Sequence, residues 1–519
     1  MEGSRFFRVI EWIFGLAMLF VIMVDVILDN RFYYVCKNNC VVPNIVFLLI
    51  FLLLCLTIVL FVRQYQKVTT DKPPKAPKHY IKIMNVIRWL SLVLLVVQII
   101  YAYNIYFETG WDCRFLVKMA QDIAFNGAKI GDAHYFSLYP NNAFLVGIFA
   151  GILKLVKFIG INNAPYFPLI VVGCVLVNLS GLMFADCIRI LTGKKTFIII
   201  FWFVFVFLTG LSPWISIPYS DTYSIIFPTL AVWLYLTKND NNYVVRWFYI
   251  TVVCFIGYFI KPTVLLTFMV LMVFDILHFV FSFKKSFAKR QMKEAVLSLV
   301  LVVTGIVISL VVRFGVEKLT GFAPDETRQV TPIHYFMMGL NSESGGGYNQ
   351  EDVNLSFSYA TVEERNREDF KVAMQRIKDM LPFRLITFEA QKTLTNFNDG
   401  TFAWGNEGDF YWTYYDRNGK LAPYVRNYIY HIGEKHDTYV AATQGIWMFV
   451  LFSCALVIIK GRRHKDYRET AIMGVMLAIM LFLMVFEARA RYLYLYSPVI
   501  YMVAAVGLNR LFIGKDKNY

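Results

Sequence analysis

Apolar residues recur along the chain in runs of about 20, separated by short polar or basic stretches. A helix of that length matches the ~30 Å hydrocarbon thickness of a bilayer, so each run reads as one crossing. Twelve crossings are predicted, at about 8–28, 44–62, 87–106, 166–188, 196–212, 222–237, 245–261, 263–283, 295–312, 442–460, 470–486 and 497–512. The first has a basic start but is long and lacks a small-residue cleavage site, so it reads as a retained helix rather than a signal peptide. The run at 141–158 is a further candidate, and parity decides its fate. The basic 63–88 loop belongs inside, the 107–140 loop therefore outside, and Arg189, Lys194 and Lys195 inside again. Only one of 141–158 and 166–188 then crosses. The former is shorter, with Lys154 and Lys157 near its end, which suits a helix lying in the interface or dipping in partway. Both termini fall on the cytoplasmic side of a cell membrane.

This alternation puts five polar elements on the outer face: 107–142, 212–221, 260–263, 313–441 and 487–492. It divides the chain into 1–83 (two helices and a basic loop), 84–312 (a helical membrane module with an outer loop at 107–142), 313–441 (a small α-rich extracytoplasmic domain) and 442–519 (the last helices). Within 313–441, an amphipathic helix is predicted at 362–381, with Thr361 and Glu364 as a capping box and Pro382 as a stop. Gly345-Gly346-Gly347 marks a mobile or close-approach loop. The fold class expected is an all-α polytopic membrane protein with interfacial helices.

Composition agrees. Of 519 residues, 58% are hydrophobic and 17% aromatic, more apolar surface than a soluble chain of this size can hide. The net charge of +15 is mostly a topology signal. It concentrates in Arg63, Lys67, Lys72, Lys75, Lys78 and Lys82, in Lys284, Lys285, Lys289, Arg290 and Lys293, and in Lys460, Arg462, Arg463, Lys465 and Arg468. Such short loops are held in the cytoplasm, and no nucleic-acid partner is expected. The eight cysteines show no metal-type spacing, though Cys36 and Cys40 share an outer loop that permits a disulfide.

The candidate chemistry lies on the outer face. Asp112, in Trp111-Asp112-Cys113-Arg114, opens a helix-like run to Phe125 with Leu116, Met119, Ala120 and Ile123 on one stripe. A carboxylate fixed there, at the membrane surface and beside a helix N-terminus, suits a general base that takes a proton from a sugar hydroxyl. Asp122 faces away from that stripe and reads as a solvated helix residue. Asp132 and His134 precede the Tyr139-Pro140-Asn141-Asn142 turn and are further candidates. Asp221, in Pro218-Tyr219-Ser220-Asp221, is either a helix cap or a second functional carboxylate. Lys261, Arg489 and Arg491 stand at outer helix ends, where cations commonly snorkel to headgroups. The positive-inside bias disfavours them on this face, and guanidinium groups grip phosphate with two parallel hydrogen bonds.

These motifs, in this order and on one side, resemble the GT-C superfamily of integral-membrane glycosyltransferases, and more closely a Gram-positive branch that decorates surface polysaccharides or teichoic acids. The resemblance covers most of the chain, least before residue 85 and in 313–441. It implies a GT-C-like helix bundle that moves a sugar, with inversion, from a polyprenyl-phosphate donor in the bilayer to an extracytoplasmic glycan or teichoic-acid-type acceptor. A separate polyprenyl-phosphate glycosyltransferase and a flippase would supply the donor. The family's catalytic acid maps onto Asp112, its second acidic position onto Asp221, and its phosphate-binding cations onto Arg489 or Arg491, with Lys261 beside them. Trp111, His134, Tyr139 and Tyr219 become substrate-binding candidates. Relatives carry paired acids where this chain has Asp112-Cys113, which leaves the base open between Asp112 and Asp132. No metal and no cofactor are implied. A transporter or flippase of a lipid-linked sugar is the alternative; such proteins place ionisable groups near the bilayer midplane, whereas here they gather at the outer boundary. A sensor or scaffold would need no such cluster.

Overall fold

The computed structural model describes residues 2–29, 40–68, 78–160, 166–237, 243–283, 288–408, 410–417, 419–459 and 467–512. Lys72, Lys75, Lys284, Lys285, Lys460, Arg462, Arg463 and Lys465, residues 513–519, and Cys36 of the possible disulfide lie outside them, as do the side chains of Arg63, Lys67, Lys78, Lys289 and Arg290.

The described residues form 21 α-helices and a single two-stranded sheet, so the all-α polytopic class holds. Among them nine helices are long and apolar enough to cross a membrane, and Asn44–Leu60, Lys195–Gly210 and Val244–Ile260 are shorter apolar helices. Every predicted crossing coincides with helix. The one at 222–237 is made of two pieces, Ser220–Ser224 and Ile226–Leu236. Pro228 has no N–H to give the carbonyl four residues earlier, which accounts for the break at 224–225. The crossing placed at 295–312 belongs to a longer helix, Ala288–Thr320, that runs into the segment assigned to the outer domain. Leu52, Leu53, Val93, Val96, Leu299, Val303 and Val307 stand exposed along their helices, as lipid-facing positions do.

Two hydrophobic clusters divide residues 313–441. Met337, Leu340, Ala373, Met380 and Phe388 form a small core of their own. Phe397, Phe402, Trp404, Ile429 and Tyr430 instead join the main core of the bundle. The amphipathic helix is Val362–Met380, and the Thr361 hydroxyl accepts from the Glu364 N–H at 3.2 Å, the cap read from sequence. The sheet was not anticipated. Glu108–Thr109 pairs antiparallel with Tyr411–Thr413, in register Glu108↔Thr413 and Thr109↔Tyr411, tying the late segment to the start of the 107–142 loop.

The 107–142 loop contains the helices Asp112–Asn126 and His134–Leu138 and leads into Asn141–Phe158. By length and composition Asn141–Phe158 is among the nine, yet its contacts run along one end of the bundle. At its start, Asn142 Nδ2 donates to the Tyr135 hydroxyl (2.8 Å), and the Tyr135 ring stacks 5.0 Å from Phe115 in the first turn of Asp112–Asn126. At its end, Lys157 Nζ donates to the Ala124 and Phe125 carbonyls (3.5 and 3.3 Å) in the last turn of that same helix. The two helices therefore lie side by side and run the same way. In between, Phe144 meets Phe259 (5.5 Å) and Phe149 meets Tyr223 (4.9 Å). A Cβ on Gly147 would fall 2.2 Å from Val316 Cγ1 and 3.2 Å from Thr320 Cγ2. Phe259, Thr320 and Tyr223 all stand at helix ends, and the next helix opens there too, with Phe167 packed on Tyr103 and Tyr106 (5.3 and 5.6 Å).

Candidate active site

At this end of the bundle four separate stretches converge. Trp111 (φ −123°, ψ −165°) is extended, and the Asp112–Asn126 helix begins immediately after it. Its buried stripe is Cys113, Leu116, Val117, Ala120, Ile123 and Ala124. The Cys113 thiol donates to the Pro218 carbonyl at 3.2 Å, docking the helix on the 212–221 loop. This leaves the half-buried Asp112 facing Tyr219, whose hydroxyl donates to Asp112 Oδ2 at 3.3 Å. The Trp111 and Tyr219 rings pack edge to face at 4.8 Å.

Beside this pair lies a buried ion cluster. Lys261 Nζ donates to Asp221 Oδ1. Arg491 Nε stands 3.4 Å from Asp221 Oδ2 and Arg491 Nη1 3.6 Å from Glu407 Oε2. Arg489 is gripped harder, with Nη1 on Glu407 Oε2 and Nε on Glu487 Oε1, each at 2.8 Å. The Tyr492 hydroxyl donates to Glu487 Oε2 (2.7 Å). Three cations thus face three carboxylates, the balance that burial of charge demands. The guanidinium of Arg491 also lies 4.9 Å over the Trp111 ring and 5.6 Å over Tyr219, and Lys261 lies 4.5 Å over Tyr492. Three buried polar atoms here make no hydrogen bond among the described residues: Asp221 Oδ2, Arg491 Nε and Trp111 Nε1. Other such atoms are spread through the described residues; these three belong to side chains that adjoin one another.

Tyrosines lie close to these charges. Burial, then the charges of Asp112, Tyr348 and Glu487, push the Tyr139 phenol up to about 12. Burial also raises Tyr335, with Tyr139, Glu487 and Asp112 adding to the effect. These hydroxyls keep their protons and present donors to the site.

Glu407 owes its position to a strained turn. Phe402 and Ala403 have φ of 56° and 61°, and Trp404–Gly408 follows as a π-helical turn. Left-handed non-glycine residues cost about 1–3 kcal/mol each and persist only where their surroundings over-determine them. Here Asp399 accepts from the Thr401 and Ala403 N–H groups (2.7 and 2.9 Å), and Trp214 Nε1 donates to the Thr401 and Phe402 carbonyls (3.2 and 3.1 Å). Asn44, Asn398 and Gln444 extend the network into the bundle, with Gln444 Nε2 donating to both asparagine oxygens at 3.0 Å.

The structure therefore brings together Asp112, Asp221, Lys261, Arg489, Arg491, Trp111, Tyr219 and Tyr139. It does not bring Asp132 or His134 into the ion cluster. Asp132 is exposed, and its carbonyl accepts from the Ser137 hydroxyl (3.1 Å). His134 Nδ1 accepts from Arg328 Nη1 (2.9 Å), whereas the next residue, Tyr135, turns to Asp112. Sequence reasoning missed Glu407, Trp214, Tyr335, Tyr348 and the roles of Glu487 and Tyr492. The usable signal is charge balance: three cations at helix ends call for buried carboxylates, of which the sequence reading names only Asp221.

These features define a multi-pass helical membrane protein with a buried carboxylate–guanidinium cluster at one end of its bundle. The chain belongs to the family described as conserved hypothetical integral membrane protein, whose model matches residues 4–511. No curated protein matches it. Among solved structures it is similar to the archaeal oligosaccharyltransferase AglB from Archaeoglobus fulgidus in complex with an inhibitory peptide and a dolichol-phosphate, at 12% identity and a TM-score of 0.39. That match covers 81% of this chain and 50% of the archaeal one, so this chain spans about half the length of that protein.

Proposed function

We propose that this protein is a GT-C-type membrane glycosyltransferase that moves a sugar from a polyprenyl-phosphate donor to an extracytoplasmic glycan or teichoic-acid-type acceptor, with inversion. The observation that carries the reading is the juxtaposition of the half-buried Asp112 carboxylate with a buried cluster in which Arg491 is incompletely paired. Asp112 is the general base. It takes the proton of the acceptor hydroxyl as that oxygen attacks the anomeric carbon, and the anomeric carbon–phosphate oxygen bond breaks on the opposite face. The departing polyprenyl phosphate carries its charge to Arg491 and Lys261. Asp221, engaged by both cations, orients them and is not free to act as a base. Trp111 and Tyr219 wall the sugar subsite, with Trp111 Nε1 an unused donor for a sugar hydroxyl. Asp132 is exposed and apart from the cations, which favours Asp112 of the two.

The test is mass spectrometry of surface glycans from cells carrying wild-type protein, Asp112→Asn or no copy of the gene. Asn keeps the size of Asp112 but cannot take the proton, and transfer should fall by roughly 10²–10⁴-fold at unchanged expression. Wild-type glycans from Asp112→Asn, with loss in Asp132→Asn, would move the base to Asp132; no glycan difference between wild type and deletion would sink the reading.

A further inference from the structure

Along the His134–Leu138 helix lies a cleft of about 620 Å³, lined by His134, Leu138, Arg328, Phe357, Tyr359 and Arg365 among others. It is a built feature. The 325–330 loop is stitched to that helix by the Asp325 N–H on the Ser137 hydroxyl (3.0 Å) and the Val330 N–H on the Leu138 carbonyl (3.0 Å). Arg365 is buried in its floor, donating Nε to the Ser356 carbonyl (3.0 Å) and Nη1 to the carbonyls of Arg328 and Gln329 (3.1 and 3.2 Å). Its Nη2, with two hydrogens, makes no hydrogen bond among the described residues. Arg328 spends Nε on Asp325 (2.9 Å) and one Nη1 hydrogen on His134 Nδ1 (2.9 Å), which makes the ring's Nε2 a donor as well. The acceptors are committed: Asp325 already takes the Thr327 N–H and hydroxyl (3.0 and 2.6 Å) besides Arg328. The cleft thus presents a surplus of N–H donors between the apolar surfaces of Phe357, Tyr359 and Leu138.

We propose that this cleft binds the acceptor as an anionic, hydroxyl-rich chain, whose phosphodiester or carboxylate groups take the unused guanidinium hydrogens while its carbon backbone lies on the two aromatic rings. An acceptor-only group matches a donor surplus better than a neutral hydroxyl, which brings its own hydrogen to place. The location fits: the five-residue helix that lines the cleft with His134 and Leu138 also carries Tyr135, which meets Asp112 and Phe115, so the cleft and the Asp112 site share that helix. The word acceptor rests on the glycosyltransferase reading; the binding site does not.

The experiment therefore measures binding, not transfer. Full-length protein in zwitterionic-lipid nanodiscs is titrated with a glycerol-phosphate oligomer and, separately, with a neutral isomaltose oligomer of equal length. The phosphate oligomer should bind more tightly, lose affinity as salt rises, and weaken about tenfold in Arg328→Gln, with Arg328→Lys in between. Equal binding of the neutral oligomer, no binding of either, or an unchanged affinity in Arg328→Gln at a normal elution profile would overturn the proposal. So would displacement of the oligomer by phosphatidylglycerol added to the nanodisc, which would make the cleft a headgroup site. A phosphate oligomer that binds as described, in a protein that transfers no sugar from any polyprenyl-phosphate donor, would leave the cleft standing and remove the glycosyltransferase reading instead.

Discussion

Arg489 and Arg491 are two residues apart and carry the same charge, yet their surroundings assign them different work. Arg489 is extended (φ −155°, ψ 121°) ahead of the 3₁₀ turn Ala490–Tyr496 and spends two nitrogens on carboxylates at 2.8 Å. On an ordinary helix the pair would point apart; because the backbone is extended at Arg489, both reach Glu407. Arg491 has only contacts of 3.4 and 3.6 Å, and its Nε makes no hydrogen bond among the described residues, so it is the cation with most to gain from an incoming phosphate. Lys in its place keeps the charge but not the planar two-point grip. Arg491→Lys should therefore raise the apparent KM for polyprenyl-phosphate-sugar by roughly tenfold and leave the acceptor's KM alone, whereas Arg489→Lys should mainly lower thermal stability. Initial rates against donor concentration in nanodiscs, with melting curves alongside, separate the two; equal donor effects would reduce both to snorkelling. Glu407→Gln strips a carboxylate from both guanidiniums at once. Breaking a buried pair costs about 3–5 kcal/mol, so its melting temperature should drop, and added polyprenyl phosphate should recover part of the loss by supplying the missing negative charge. A Glu407→Gln protein as stable as wild type would show that the pairing carries little energy.

Between elements, the decisive joint is Lys392. It lies in the helix Phe383–Phe397 and donates to the carbonyls of Gly339, Met484 and Phe486 (2.7, 2.7 and 2.9 Å), fastening the small core of 332–388 to the end of Arg468–Val485. That helix end leads directly into Glu487 and the arginines. Gly339 permits the approach, since a Cβ there would fall 2.5 Å from the Phe486 backbone. Burial lowers the Lys392 ammonium from 10.5 to about 8, the charge of Glu389 partly opposing it. Between those values the unfolded chain holds the proton and the native chain does not, so this group's contribution to stability is complete above 10.5 and is lost as pH falls through 8. Relative to Lys392→Met, wild type should gain stability as pH rises from about 8 to 10; parallel denaturation curves across that window would refute it. The joint also marks where sequence reading stopped. The crossing helices, the Asp112 start and the Thr361 cap were legible because each is a local pattern of period, propensity or spacing. Glu407, the strand pair of 108–109 with 411–413, and the Lys392 clamp depend on partners 82, 302 to 305, or 92 positions away, for which a single chain carries no periodic signal. Asp132 remains an alternative base to Asp112 in the sequence because the two share a loop; in the structure Asp132 is exposed and stands apart from the ion cluster.

For the whole molecule, the side of the membrane on which the ion cluster works depends on what Asn141–Phe158 does. Its length and hydropathy admit a crossing, and one extra crossing would reverse every segment after it. The packing opposes this. It lies lengthwise along Asp112–Asn126, a 15-residue helix carrying Asp112, Arg114, Lys118 and Asp122, which is too short and too charged to span a bilayer. Its end touches that partner directly and its start touches it through Tyr135, its middle meets Tyr223, Phe259, Val316 and Thr320, and the helix beginning at Tyr166 opens beside Tyr103 and Tyr106. Phe158, at its end, is 90% exposed, as an aromatic at a membrane boundary would be. We therefore expect epitopes inserted after Gly127, after Gly160 and near Gly346 to be reached from outside intact cells, while one in the 284–293 loop and one at the C-terminus are reached only after permeabilisation. Accessibility at Gly127 with protection at Gly160 would mean that Asn141–Phe158 crosses after all. The parity of the chain would then put the 107–142 loop on the opposite face from the 212–221 loop and the 487–492 motif, which contradicts the contacts of Trp111 with Arg491 and of Asp112 with Tyr219. The insertion pair at Gly127 and Gly160 thus tests the topology and the integrity of the candidate site in one measurement.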